Sequence, residues 1–248
     1  MSEGFVARAG LDESGKGDYF GPLVAVAAAV TEAGIEREIA ELGVTDSKRL
    51  SDRRCLELAE ILARRIPFET VVIGPARYNQ LWDRLGNVNR ILAWAHARAL
   101  ENLLARVDVP VVVADQFARD PDRLGRALMA RGRRVELRQL PRAETADMAV
   151  AAASVLARAR FLRELERLSR AAGIPLPKGA THVEEPAREL WRRGGRELLG
   201  QFAKLHFATT QRVTALEQEA LDGPAKGGSE QVRGRGRRTC GGLQSGPR

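Results

Sequence analysis

The stretch FVARAGLDESGKGDYFGPLVAVAAAV, Phe5 to Val30, decides how the rest of the chain is read. Phe5–Leu11 and Pro22–Val30 are apolar segments of strand length, and the glycine-rich run Ser14–Gly21 between them reads as a turn. From Ser51 a helix begins, with Cys55, Leu58, Ala59, Leu62 and Ile66 at helical spacing and Pro67 ending it. Glu69–Ile73 reads as a short strand and Asn87–Ala105 as a helix carrying Val88, Leu92, Ala95, Ala99 and Leu103 on one side. Val109–Ala114 reads as a buried strand and Val135–Leu140 as an alternating one. A long helix runs from about Ala146 to Ala171, rich in small residues at first (AVAAAS) and charged later. Two further helical segments, Pro186–Arg193 and Arg196–Ala208, flank Gly194-Gly195. Early strands followed by strand–helix alternation predict an α/β fold with a mixed sheet.

The 248 residues suffice for one core of ordinary size, and no apolar run approaches the ~18–20 residues of a membrane span. The N-terminal MSEGFVARAG lacks the apolar region of a signal peptide. Cys55 and Cys240, far apart and in unlike contexts, exclude a disulfide framework or a cysteine zinc site and point to a reducing cytoplasm. The formal net charge is +8, but residues 223–248 carry six basic side chains against Glu230 alone. This Gly/Arg-rich segment cannot bury enough surface to offset its ordering entropy, so the expected division is a folded domain at 1–222 and a disordered tail at 223–248.

Asp12 and Glu13 lie where the first strand meets the turn. Alone, two adjacent acids there are an ordinary solvated strand end. Asp115, directly after VPVVVA, adds a carboxylate at the mouth of a buried strand, and Glu144 and Asp147 stand at the start of the small-residue helix. Acids in a first helical turn also serve the helix macrodipole, so those two keep a purely structural alternative. Together the three acidic stations suggest one oxygen-rich pocket. Hard divalent cations such as Mg²⁺ prefer such a pocket, and paired ions in one activate water for phosphodiester cleavage. The turn Gly15-Lys16-Gly17 allows close backbone approach to a ligand and an anion-binding nest, yet the GxxxxGK[ST] spacing of a nucleotide-binding loop is absent.

GLDESGKGDYFGPLVAVAA (Gly10–Ala28) resembles the opening motif of ribonuclease HIII, a branch of the type 2 ribonucleases H. The sister ribonuclease HII class more typically shows DEAGRGP there, so Ser14, Lys16 and Asp18 favour the HIII branch. Asp46-Ser47-Lys48, NVNRILAWAHARAL (Asn87–Leu100), Val113–Gln116, RAETADMAVAAASVLAR (Arg142–Arg158), LPKGA (Leu176–Ala180) and AKLHF (Ala203–Phe207) continue the resemblance in order. It implies a ribonuclease H-like mixed sheet flanked by helices, with a C-terminal helical extension, and hydrolysis of RNA within RNA–DNA hybrids. The implied cofactor is Mg²⁺ or Mn²⁺, two ions in the substrate complex, and the implied products carry 3′-hydroxyl and 5′-phosphate ends. The family's four metal-binding acids correspond to Asp12, Glu13, Asp115 and Glu144, the last because it lies ten residues before Ser154; Asp147 is its competitor on chemistry alone. Gly15, Lys16 and Gly17 correspond to the element that contacts the backbone and 2′-hydroxyls, and Lys48 and Ser154 to positions near substrate phosphates. The family commonly carries an N-terminal hybrid-binding domain, whereas this catalytic motif already begins by Gly10.

His96, within a helix among alanines, reads as a packing or hydrogen-bonding group, His206 as support for the site without being a ligand, and His182 as a loop residue without a role. Trp82, Trp94 and Trp191 read as core or rim aromatics rather than base-stacking platforms. No Ser–His–Asp arrangement in a nucleophile elbow occurs. The expectation is a cytoplasmic, monomeric endoribonuclease without an obligatory protein partner or membrane association. Its rivals are ribonuclease HII-like incision at single embedded ribonucleotides and non-catalytic hybrid binding.

Overall fold

A computed structural model of the chain describes residues 4–115 and 122–222. The expected tail at 223–248, Cys240 and Gln116 lie outside the described residues. A five-stranded sheet forms the centre, in the order β3-β2-β1-β4-β5, from β1 (Arg8–Ser14), β2 (Leu23–Val30), β3 (Phe68–Ile73), β4 (Val111–Asp115) and β5 (Glu136–Leu140). β1, β2 and β3 pair antiparallel, whereas β4 joins β1, and β5 joins β4, in parallel. This is the mixed sheet of an α/β protein, as the order of elements predicts.

Helices cover both faces of the sheet. Along β2, Val24, Val26, Ala28 and Val30 face α7 (Met148–Ala172) and α2 (Asp52–Arg65), while Ala27 and Ala29 face α4 (Val88–Leu103). Strand geometry sends alternate side chains to opposite faces, so a strand buried on both sides must be apolar at every position. All eight residues of β2 are buried. The small residues at the start of α7 let it sit directly on β1. A Cβ at Gly10 would lie 2.2 Å from the Ala149 carbonyl carbon and the Val150 nitrogen, so only glycine fits that crossing. Helix α2 begins where its sequence predicts: the Ser51 hydroxyl accepts from the Arg54 amide, and Cys55, Leu58, Ala59 and Leu62 are buried.

Three features differ from the expectation. β1 starts at Arg8 rather than Phe5 and runs through Asp12 and Glu13, which pair with Val26 and Ala25 of β2. Phe5 and Val6 stay exposed, because the ladder to β2 ends at Arg8 opposite Val30. Helices α1 (Ala33–Glu41), α3 (Pro75–Leu85), α5 (Asp122–Ala127), α6 (Ala143–Ala146) and α9 (Ala208–Asp222) have no counterpart in the reading of the sequence. Glu144 lies on α6 rather than at the start of α7, because Asp147 is extended and caps α7. The segment expected to be helical to Ala208 instead ends α8 (Glu184–Phe202) at Phe202. Tertiary hydrogen bonds take over there. The Asn79 amide donates to the Gly200 and Ala203 carbonyls and its oxygen accepts from the Leu205 amide, while the Lys204 amide donates to the Tyr19 carbonyl. The break at Gly194-Gly195 is present, with Gly195 in the left-handed region at φ 59°.

Candidate active site

The site lies at the C-terminal ends of β1 and β4. The parallel ladder between β1 and β4 ends with Leu11 opposite Ala114, so the next residues, Asp12 and Asp115, stand side by side just beyond it while still paired on their other sides with Val26 and Leu140. Alternation assigns their faces. Gly10 meets α7, so Asp12, two residues on, points to the same side, and Val111 and Val113 pack with Val150 of α7, so Asp115 does too. Glu13 belongs with Ala9 and Leu11 on the α4 face. The adjacent acids therefore emerge on opposite sides of one strand, each with a helix as its second support.

Each of these carboxylates is held. Asp12 accepts a hydrogen bond from Ser154 of α7, whose Oγ lies 2.9 Å from Ser47 Oγ, and Asp12 Oδ1 accepts the Glu13 amide at 2.8 Å. Glu13 Oε2 lies 3.1 Å from His96 Nε2 of α4, and its Oε1 lies 3.8 Å from Lys16 Nζ. Asp115 Oδ1 accepts the Arg142 amide at 2.9 Å. Arg142 adopts the left-handed conformation, φ 54°, which is uncommon for a side chain of that size and which starts the short helix α6 (Ala143–Ala146) carrying Glu144.

The electrostatics differ from one acid to the next. Burial, then the charges of Glu13 and Glu144, push the Asp12 carboxyl well above the ordinary carboxylate range, against the hydrogen bond from Ser154. Burial acts on Glu13 in the same sense, but the His96 hydrogen bond and the charges of His96, Lys16 and Lys48 outweigh it, and its pKa falls. Asp147 has a different duty. Its Oδ1 caps α7 by accepting the Ala149 and Val150 amides at 2.8 and 3.2 Å, and its Oδ2 pairs with Arg8, which also pairs with Glu36. Both oxygens are thus engaged in structure, whereas Glu144 adds its charge beside Asp12.

Among the described residues no three His, Cys, Asp or Glu side chains converge closely enough to form a ready-made metal site. The donor set nonetheless fits a hard divalent cation. Asp12, Glu13, Asp115 and Glu144 supply only oxygens, and the burial and neighbouring negative charge that raise Asp12 are what a bound cation would offset.

In front of the acids opens a cleft of about 750 Å³, walled by Glu13, Asp115 and the turn from Ser14 to Asp18. Gly15 is left-handed, φ 89°, and a Cβ there would lie 2.0 Å from the Pro22 carbonyl oxygen. The lining also holds the basic side chains Lys48, Arg158 and Lys178. Lys48 sits on the 3-10 turn Ser47–Arg49, capped by Asp46, and Asp52 pairs with both Arg158 and Lys178. Ser154 lies beneath the cleft, 3% exposed. The GKG turn is strapped from behind. Asp18 accepts the Gly179 amide at 2.6 Å, the Tyr19 amide donates to the Gly179 carbonyl, and the buried Lys204 ammonium donates to the Gly21 carbonyl at 2.6 Å.

The histidines divide by environment. His96 reaches an acid, Glu13. His206 stacks on Trp82 with ring centroids 3.9 Å apart, and burial lowers its pKa to about 4. His182 is a left-handed loop residue. Trp82 and Trp191 are partly buried in the core, and Trp94 is exposed on α4. The reading of the sequence missed Arg142, Arg158, Lys178 and Lys204 as supports. A signal for His96 did exist, since it follows Leu92 by four residues and precedes Ala99 and Leu103 on the buried side of α4.

A two-sided mixed sheet with carboxylates at the parallel ends of β1 and β4, at a cleft lined by a glycine turn and basic side chains, is the arrangement of a ribonuclease H. The ribonuclease HII family model matches residues 9–210, and the chain belongs to that family. It is a ribonuclease H endonuclease. Within the family its resemblance is to the HIII branch. It is 39% identical over 208 residues to Ribonuclease HIII of Chlamydia pneumoniae, covering 83% of this chain and 70% of the relative. To Ribonuclease HIII of Protochlamydia amoebophila it is 42% identical over 205 residues, covering 82% and 67%. The crystal structure of Bst-RNase HIII in complex with Mn²⁺ superposes with a TM-score of 0.77 at 37% identity, covering 87% of this chain and 71% of that one.

Proposed function

We propose that this ribonuclease H hydrolyses the RNA strand of RNA–DNA hybrids with Mg²⁺ or Mn²⁺ held by Asp12, Glu13, Asp115 and Glu144. The observation that carries the reading is the pairing of β1 with β4. It sets Asp12 and Asp115 side by side on one face, at a cleft lined by a left-handed glycine turn and by Lys48, Arg158 and Lys178. Two cations bound there would supply the Lewis acidity that activates a water and stabilises the leaving oxygen.

The chain's own residues do the rest. Asp12, Ser154 and Glu13 form a hydrogen-bonded group whose geometry is set before substrate arrives. The amides of Gly15, Lys16 and Gly17 face the sugar–phosphate backbone and the 2′-hydroxyls that distinguish RNA from DNA. Lys48, with Arg158 and Lys178, receives phosphates, and Ser154 acts from below through Asp12. Attack of water on phosphorus with departure of the 3′ oxygen leaves a 3′-hydroxyl and a 5′-phosphate. Among the described residues no helix is long and apolar enough to cross a membrane. The reading places the enzyme in the cytoplasm, working as a monomer at 1–222 with the tail as an accessory.

The test is cleavage of a uniform RNA–DNA hybrid with and without Mg²⁺, beside a DNA duplex holding one ribonucleotide. Metal-dependent cuts within the RNA run, abolished in Asp12→Asn while hybrid binding persists, are expected. Substantial activity of Asp12→Asn at saturating metal overturns the site. Incision only at the single ribonucleotide overturns the substrate.

A further inference from the structure

The alternation that separates Asp12 from Glu13 leaves Glu13 on the α4 face, and from that helix His96 reaches it. His96 is 2% exposed, lies between the buried Ala95 and Ala97, and places Nε2 3.1 Å from Glu13 Oε2. The other oxygen, Oε1, is turned toward Lys16 at 3.8 Å, at the cleft wall. The two oxygens of one carboxylate thus have unlike duties: one is fixed in the core and the other faces the cleft.

We propose that His96 is the positioning residue for Glu13: its Nε2–H holds Oε2 and thereby fixes the rotamer that presents Oε1 to a divalent cation. The inference rests on the proposed metal role of Glu13. Three points support it. A glutamate has three rotatable side-chain bonds, so a ligand on a strand end without a second anchor must be ordered each time a cation binds. An imidazole buried among alanines is closed off from solvent, so the contact is built into the fold of α4. Two of the other acids have a comparable anchor, Ser154 for Asp12 and the Arg142 amide for Asp115, which makes His96 the third member of a set. Hydrogen bonds to a ligating group orient it and commonly change metal affinity 10–100-fold.

The test compares His96→Leu, which keeps volume but has no donor, with His96→Gln, whose amide nitrogen can take the place of Nε2. Mn²⁺ binding to the full chain without substrate is measured by calorimetry and electron paramagnetic resonance. Cleavage is measured as a function of both metal and hybrid concentration. The expected result for His96→Leu is a Mn²⁺ affinity about 10-fold weaker and a matching rise in the metal concentration for half-maximal cleavage. The KM for hybrid at saturating metal should stay within about twofold of the parent. His96→Gln should recover most of the affinity, and His96→Leu should add nothing in a Glu13→Gln background. If Glu13→Gln weakens Mn²⁺ binding but His96→Leu does not, or if Gln recovers nothing, the positioning role is overturned. If Glu13→Gln itself leaves Mn²⁺ binding intact, the metal site falls and the inference with it.

Discussion

Asp147→Asn separates structure from chemistry at the start of α7. Asparagine caps a helix as well as aspartate, so the amides of Ala149 and Val150 keep their acceptor. What disappears is the charge facing Arg8, in a pair whose side chains are 15% and 10% exposed; Glu36 remains on the other side of the guanidinium. A hydrogen bond between charged groups contributes about 1.5–3 kcal/mol. At about 2–4 °C per kcal/mol for a domain of this size, the melting temperature should fall by about 3–12 °C. Asp147→Ala also removes the cap and should cost about 1 kcal/mol more. Cleavage by the folded variants at 25 °C should remain within about twofold of the parent. Glu144→Gln should behave inversely. Its carboxylate adds unfavourable charge beside Asp12, so stability is kept or raised. If Glu144 holds a cation as proposed, losing that ligand removes several kcal/mol of charge stabilisation and should lower cleavage at least ~100-fold. Thermal melts and initial rates at saturating hybrid and Mg²⁺ read both quantities. Loss of activity in folded Asp147→Asn, or full activity in Glu144→Gln, refutes the assignment.

Two further outcomes can be measured with the same preparations. Lys204 is fully buried, and burial lowers its pKa to about 7 despite the opposing charge of Asp18. The unfolded lysine keeps its proton to about pH 10.4, so between those values the unfolded state binds more protons and stability rises with pH. The rise approaches ~1.4 kcal/mol per pH unit. Denaturant unfolding at pH 7, 8, 9 and 10 should show this component in the parent and not in Lys204→Met; parallel curves would mean the ammonium stays charged. Truncation after Asp222 should weaken hybrid binding at low salt and flatten its salt dependence by roughly 0.7–0.9 for every phosphate the tail neutralises, with turnover unchanged. An unaltered slope makes the tail a passenger, and a collapse of turnover moves the domain boundary.

The chain's local patterns announced much of this protein. The apolar runs at Pro22–Val30 and Val109–Ala114, the helical spacing after Ser51 and the AVAAAS start of α7 are legible because burial writes its periodicity directly into residue type. The acids at 12, 13 and 115 and the GKG turn stood out as carboxylates and glycines at the ends of apolar strands, whereas only the resemblance to ribonuclease HIII separated Glu144 from Asp147. Other assignments needed partners far along the chain. Whether Asp147 is a ligand or a cap depended on Arg8, 139 residues earlier. That Glu13 has a fixed oxygen depended on α4, 83 residues later. The AKLHF run left its expected helix because Asn79 and the carbonyls of the turn compete for its backbone and its lysine. Periodicity reports which face of an element is buried and nothing about which polar group waits on the other side. The sheet order β3-β2-β1-β4-β5 decided that, by bringing the ends of β1 and β4 together and setting Asp12 and Glu13 against different helices.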